Sequence, residues 1–235
     1  MPILLQTLFA NCDFCFIFGF YPKSIMDLHS YRQQYKKAGL DRHDLPEDPV
    51  QFFQALFIKA KEGGVIEPNA MTLATGNADG FIDARMVLLK EVKNGDFVFF
   101  TNYNSVKGHQ LASNPFAALV FWWYAIECQV RVRGTVTKLD ESESDAYFNS
   151  RPHDSRAGAI ASNQSEVVAD YDKMMDNFED LRNKSDAELL RPSNWGGFCL
   201  QPAEIEFWQG RPNRMHDRFL YLREGEQWRI NRLSP

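Results

Sequence analysis

The chain has 235 residues, of which 44% are apolar, 24% charged and 14% aromatic, a composition that excludes disordered, collagen-like and membrane-embedded classes. That length fits one large domain or two small ones and supports a core without disulfide staples. Thirty-one acidic residues against 26 basic ones leave a formal charge of −5, so the whole chain is no electrostatic nucleic-acid binder, although a local cationic pocket fits the same balance.

The four cysteines, Cys12, Cys15, Cys128 and Cys199, are too few and too irregular for a disulfide framework and point to a reducing, cytoplasmic setting. Cys12-x-x-Cys15 has no second such pair and no nearby histidine, and the five histidines fall at no ligand spacing, so no metal site is expected. No dinucleotide, P-loop, nucleophile-elbow or HExxH motif occurs, which removes the Rossmann, serine-hydrolase and zinc-protease readings.

Residues 1–25 stand apart. They carry only Asp13 and Lys23 as ionisable side chains, lack the basic start of a secretory signal, and contain an uncharged run, Phe14 to Tyr21, too short to span a bilayer. This segment reads as an extension or a non-native start, with one functional domain from Met26 to Pro235 and no membrane contact.

Asp48 followed by Phe52, Phe53, Leu56, Phe57 and Ala60 predicts an N-capped amphipathic helix ending at Gly63-Gly64. Ala70–Thr75, Phe81–Val92 and Phe97–Thr101 read as strands of an antiparallel meander, separated by Asn77–Gly80 and Lys93–Asp96 turns. A short helix over Ser105–Ser113 precedes two long strands, Phe116–Ile126 and Cys128–Leu139. Asp140 with Glu143 predicts a capping-box helix to about Ser150, and a second short helix from Ser155. Glu166–Lys184 is the longest helical pattern, with Val167, Tyr171, Met174, Met175, Phe178 and Leu181 in one stripe. Phe198–Leu200, Glu204–Trp208, Arg218–Leu222 and Trp228–Asn231 return to strand. The fold class is α+β, mainly antiparallel β, organised round a barrel with flanking helices.

Cations stand where a β-rich core should be apolar. Arg85 and Lys90 bracket four apolar residues, and their offset of five puts them on opposite faces of a regular strand. They mark either an anion site or a charge-protected edge strand. Tyr147, Arg151 and Ser155 bring a phenol, a guanidinium and a helix N-terminus together, which suits a phosphate as well as it suits a plain helix–Pro–helix corner. Arg214, His216 and Arg218 share one face of an extended segment next to Trp208-Gln-Gly210, as a pocket wall for a planar anion or as a solvent-facing edge. Lys107, Gln129, Gln164 and Ser165 read singly as surface residues.

The segments Arg-x-Val-Leu-Leu-Lys (85–90), Phe-Phe-Thr-Asn (99–102), Gln-Val-Arg-Val (129–132), Tyr-Phe-x-Ser-Arg-Pro-x-x-Ser (147–155), Gln164-Ser165, Trp195-Gly-Gly, Glu206-Phe-Trp-Gln-Gly210 and Arg-x-His-Asp-Arg (214–218) resemble, in order and spacing, the pyridoxine (pyridoxamine) 5′-phosphate oxidase family. The resemblance runs from about Met26 to Pro235. It implies an FMN-binding split barrel, a homodimer with FMN at the subunit interface, and oxidation of pyridoxine or pyridoxamine 5′-phosphate by O2 to pyridoxal 5′-phosphate and hydrogen peroxide.

Carried over by position, the resemblance assigns FMN binding to Arg85, Met86, Val87, Leu88, Phe100, Thr101, Lys107, Gln129, Gln164, Ser165, Trp208 and Arg218. It assigns the substrate phosphate to Lys90, Tyr147, Arg151 and Ser155, and closure over the substrate to Arg32 and Tyr35. Arg214 and His216 fall on the pyridine side as the catalytic pair. Flanked by two arginines, His216 is expected to be neutral and to act as a hydrogen-bonding group that aids proton removal. Arg85 and Lys90 are expected to serve different anions. Val106 and Cys128 stand where the family usually has arginine, which predicts weaker FMN binding and a lost contact beside Gln129. A carrier of flavin or pyridoxal phosphate without turnover, and a split-barrel flavin reductase, are the alternative readings.

Overall fold

Asp48 opens the first helix as its pattern predicts: its carboxylate accepts from the Val50 amide at 2.8 Å, and α1 (Pro49–Glu62) ends at Gly63. The computed structural model describes residues 28–29, 34–37 and 39–235, so the expected extension Met1–Ile25 and Arg32 lie outside the described residues. Every element below belongs to the unit Tyr35–Pro235.

The strands are β1 (Ala70–Gly76), β2 (Ile82–Leu88), β3 (Glu91–Lys93), β4 (Asp96–Asn102), β5 (Phe116–Trp123), β6 (Cys128–Lys138), β7 (Trp195–Gln209), β8 (Asp217–Glu224) and β9 (Gln227–Leu233). They form one antiparallel sheet in the order β2-β1-β5-β6-β7-β4-β3, with β8 on β7 and β9 on β8. Helices α2 (Val106–Ser113), α3 (Glu141–Ser150), α4 (His153–Ala161) and α5 (Tyr171–Arg182) flank it.

The expected meander over residues 70–101 is two hairpins at opposite ends of the sheet path. Phe81–Val92 is not one strand: the Leu89 amide bonds the Asn69 carbonyl at 2.8 Å and the Lys90 amide bonds that of Val98 at 2.9 Å. The chain thus changes partner at Leu89–Lys90, from β1 to β4, and draws the two ends of the curled sheet together. Phe116–Ile126 also stops early, because Tyr124–Ile126 forms a 3-10 turn closed by Glu127 at φ +53°.

Phe198–Leu200 and Glu204–Trp208 are halves of β7. One edge of β7 pairs with β6 from Phe198 to Gln209, while the other pairs with β4 over Trp195–Leu200 and with β8 over Glu204–Gln209. Pro202 falls in the gap between these two partners, opposite a register shift at Arg133/Gly134, where a missing N–H leaves no ladder bond unmade.

The helices also correct the sequence reading. Asp140 makes no side-chain cap bond, and Glu143 pairs with Lys93 on β3, so the capping box does not form. Helix α4 starts at His153, two residues before Ser155. The long pattern begins only at Tyr171, capped by Asp170 onto the Lys173 amide at 2.9 Å, and leaves Val167 96% exposed.

Alternate residues of β1, β5 and β6 point into a core that α1 closes. Phe53, 1% exposed, meets the rings of Phe97 and Phe121 edge-on at 5.0 Å. Trp123 is buried with its indole N–H on the Pro68 carbonyl at 2.8 Å, as a buried indole requires. The tightest backbone approach is at the bulge, where a Cβ on Gly134 would stand 1.9 Å from the Gln201 carbonyl oxygen. Gly134→Ala is therefore expected to cost roughly 1–3 kcal/mol, read as a lower urea midpoint at unchanged slope.

Candidate active site

The sheet corner, the end of β4 and the α3–α4 corner enclose a cavity of about 650 Å³. It is lined by Arg85 to Leu88, Lys90, Phe100, Thr101, Lys107, Tyr147, Arg151, Ser155 and Gln164, and so gathers twelve of the sequence-predicted residues. Arg85 and Lys90 line this one cavity, contrary to the opposite faces expected of them, because the strand ends at Leu88 and period-two alternation does not carry round the corner.

Two cationic groups stand in its wall. The Arg85 guanidinium donates to Thr75 Oγ1 at 2.6 Å, Asp83 at 2.7 Å and Gln110 at 3.2 Å. Lys107, buried at 7% exposure, donates to Gln164 Oε1 at 3.0 Å, which also accepts from Thr101 Oγ1 at 3.0 Å. Burial, then the nearby Arg85 charge, holds the Lys107 pKa below its ordinary value. Like charges sharing a buried wall are costly unless an anion joins them.

The second group is Arg151, which lies over the Trp195 ring at 4.7 Å with its Nη1 buried and unpartnered. Burial lowers its pKa. Tyr147 beside it stacks on Phe100 at 3.8 Å and runs parallel to Trp195 within 3°. Ser155 does not cap α4, since the helix begins earlier; it lines the cavity from the first turn. Sequence reasoning missed Asn102 and Trp195 as lining residues, and the small side chains Gly158 and Ala159 of α4 with Ser162 just past its end. Their spacing was the available signal, because a stripe of small residues on a short helix leaves room beside it. Ser165, exposed at φ +74°, does not line the cavity, and neither does Val106, 46% exposed at the first position of α2.

The remaining predicted residues form a second cluster. Trp122, Gln129, Trp208 and Arg218 lie directly opposite one another across β5, β6, β7 and β8. Arg218 donates to Glu206 Oε1 at 2.9 Å and to the Ser234 carbonyl at 3.0 Å. Cys128 faces the core at 0% exposure with its thiol pushed up to about 12 by burial. The residue beside Gln129 therefore faces away from this row and makes no contact in it.

Trp208 lies 4.5 Å from the His216 ring, and Tyr35 meets Trp208 at 5.5 Å and His216 at 5.6 Å. Tyr35 sits on Gly210, where a Cβ would approach its ring to 2.6 Å. Glu127 secures this segment: its Oε2 accepts from the amides of Lys36 at 2.8 Å and Lys37 at 2.9 Å. Nothing in the sequence pattern marks a left-handed glutamate.

Arg214, His216 and Arg218 do not share an extended face. Asn213 and Arg214 are both left-handed, at φ +58° and +61°, and β8 begins only at Asp217, a costly backbone of the kind that gathers at functional sites. The Arg211 amide donates to His216 Nδ1 at 3.1 Å, which leaves the ring proton on Nε2. The His216 pKa is lowered as expected, first by burial and then by Arg214. The two clusters stand at opposite ends of β7, Trp195 at one and Trp208 at the other, roughly 40 Å of strand apart.

A curled antiparallel sheet with flanking helices and this cation-lined cavity defines the split-barrel flavoprotein class. PhzG from Burkholderia lata, solved in complex with tetrahydrophenazine-1-carboxylic acid, matches with a TM-score of 0.80 and 28% identity over 85% of this chain and 99% of its own. A pyridoxamine 5′-phosphate oxidase-related, FMN-binding protein from Nostoc punctiforme shares the fold, with a TM-score of 0.65, 18% identity, and coverage of 81% of this chain and 100% of its own.

Residues 58–185 match the pyridoxamine 5′-phosphate oxidase family, and residues 195–235 match the pyridoxine 5′-phosphate oxidase C-terminal dimerisation region. Pyridoxine/pyridoxamine 5′-phosphate oxidases from Gloeothece citriformis and Cyanothece are 51% and 49% identical, over 91% and 90% of this chain and 99% of each relative. The chain belongs to the pyridoxine/pyridoxamine 5′-phosphate oxidase family.

With Arg214 depressing its charge, His216 is expected to titrate below its ordinary value, and Arg214→Ala to move that titration upward. Proton NMR of the imidazole ring checks both.

Proposed function

We propose that this enzyme, an FMN-dependent oxidase that converts pyridoxine or pyridoxamine 5′-phosphate to pyridoxal 5′-phosphate, works as a homodimer. Each site then combines the cavity of one protomer with the Tyr35, Trp208 and His216 cluster of its partner. The observation that carries this reading is the buried, unpartnered Nη1 of Arg151, a donor aimed at an anion in a wall already charged by Arg85 and Lys107.

The residues fit FMN. Arg85, Lys107, Thr101 and Gln164 would hold its phosphate and polar groups, with Met86, Val87, Leu88 and Phe100 along the cavity wall. Gln129, Trp208 and Arg218 of the partner would flank its ring system. Bound there, FMN supplies the two-electron acceptor, which O2 restores with release of hydrogen peroxide.

Lys90, Tyr147, Arg151 and Ser155 grip the substrate phosphate, which fixes the pyridine ring and lowers the entropic part of the barrier. Tyr35 of the partner closes over it. Arg214 and His216 of the partner face the ring. With Nδ1 occupied by the Arg211 amide, His216 donates from Nε2 and orients the substrate.

Ile82 and Phe116, 80% and 65% exposed, line an apolar hollow of about 450 Å³, a surface that favours cover by a second copy. A reducing cytoplasmic location belongs to the same reading, supported by Cys128 and Cys199 as free thiols.

The assay is aerobic turnover of pyridoxine 5′-phosphate by the FMN-loaded protein, following aldehyde and peroxide. Full FMN occupancy without aldehyde would overturn the reading. Arg151→Ala is expected to raise KM roughly 10- to 100-fold, the loss of one charge-assisted contact, with kcat less affected. Mixing Arg151→Ala and Arg214→Ala protomers at low substrate should restore about one quarter of wild-type turnover, since half the dimers are mixed and each has one intact site. No restoration would place each site within one protomer.

A further inference from the structure

The corner that presents Arg151 and Ser155 is held from behind by His153. This residue opens α4, two positions from each of them. Its Nδ1 lies 2.6 Å from Asp186 Oδ1 and its Nε2 lies 3.0 Å from the backbone carbonyl of Arg182. Both partners accept hydrogen bonds and neither donates. Neutral imidazole carries one N–H and would leave one of these contacts lone pair against lone pair, whereas imidazolium satisfies both.

A cation is disfavoured at a helix N-terminus by the helix dipole, so its presence there needs another cause. The contacts supply it, because they tie α4 to the end of α5 and the segment beyond. We infer that His153 is a positioning residue whose imidazolium holds the Arg151–Ser155 corner in its phosphate-gripping form, so that affinity for the phosphate substrate falls when His153 loses its proton. This inference rests on the proposed role of Arg151 and Ser155 as that grip.

The surrounding charges set the direction. Asp186 faces His153 from the segment after α5 and also pairs with Arg156, one turn along α4. Asp154 binds the Arg182 guanidinium at 3.3 Å, and Arg182 also pairs with Glu179 within α5. The Asp186 hydrogen bond, followed by that of the Arg182 carbonyl, raises the His153 pKa, while Arg156 opposes them. A raised folded pKa means that the clamp is complete below the ordinary histidine value and is lost as pH rises through the raised one. Arg156 keeps its own hold on Asp186, with Nη1 on the Asp186 carbonyl at 3.2 Å, so deprotonation loosens the corner without releasing it.

The test compares wild type, His153→Arg and His153→Gln as FMN-loaded enzymes with pyridoxine 5′-phosphate between pH 6 and 9. Arginine stays charged throughout and carries donors enough for both acceptors. KM for wild type relative to His153→Arg is expected to rise roughly three- to tenfold with pH, as one charged contact is partly lost, with kcat unchanged. His153→Gln should show the raised KM already at pH 6 and little further change. Taking ratios between variants cancels ionisation of the substrate phosphate. Ring NMR, with the His153 signal assigned by its loss in His153→Gln, should place its titration above the ordinary value. A ratio flat with pH, or titration of His153 at or below that value, overturns the inference. If Arg151→Ala leaves KM unchanged, the phosphate-grip reading fails and takes this inference with it; if that arm holds and the ratio is flat, only the role of His153 is lost.

Discussion

The backbone ladder of β7 is the constraint on which the other features depend. Fifteen residues run from Trp195 to Gln209, bonded to β6 along one edge and shared between β4 and β8 along the other. A strand with two different partners on one edge must have a place where neither is present, and Pro202 occupies it. The opposing bulge at Gly134 admits only glycine beside the Gln201 carbonyl. The sheet can therefore curl there, with β1, β5 and β6 directing alternate side chains inward, while the two ends of β7 carry Trp195 into the cavity and Trp208 into the outer aromatic row.

The cavity gives up stability for binding. Lys107 sits buried next to Arg85, whose carboxylate partner Asp83 is exposed, and Arg151 keeps a buried N–H unpaired. Each is a desolvation cost. An anionic ligand that enters this wall supplies the missing charge and acceptors. Its binding free energy then appears as folding stability, since only the folded chain presents the site. Distant carboxylates do comparable work elsewhere, with Asp217 holding Arg232 and the Leu40 amide, and Glu127 the amides of Lys36 and Lys37.

The readable parts of the sequence were those governed by neighbouring residues. Asp48 before an apolar helical stripe, the Asn77–Gly80 turn and the alternation in Cys128–Leu139 each act within a few positions, and the structure has α1, the β1–β2 hairpin and β6 where they fall. The failures all involve a distant partner. Nothing local says that Lys90 bonds Val98, that Pro202 faces a gap in the ladder, or that Glu143 pairs with Lys93 in place of the helix N-terminus. The same limit governs the site. Residue types and order pointed to phosphates and a flavin through the family resemblance, but the gathering of Arg85 and Lys90 in one cavity, and the left-handed backbone at Arg214, are products of tertiary pairing.

Separation of the two clusters has a topological cause. Both are anchored to one continuous strand, and a strand hydrogen-bonded on both edges cannot fold back to bring Trp195 against Trp208 without breaking the ladder that holds them. Flexibility of a loop could move Tyr35 or Arg214, yet Trp208 and Gln129 are fixed in register with each other and with Trp122 and Arg218. Within the proposed dimer the problem has a simple geometric answer. A two-fold axis reverses the second copy, so that the Trp208 end of one β7 can lie beside the Trp195 end of the other, and the symmetry does this twice. In that proposed arrangement, rigid separation within a protomer would be the reason a site draws on both copies.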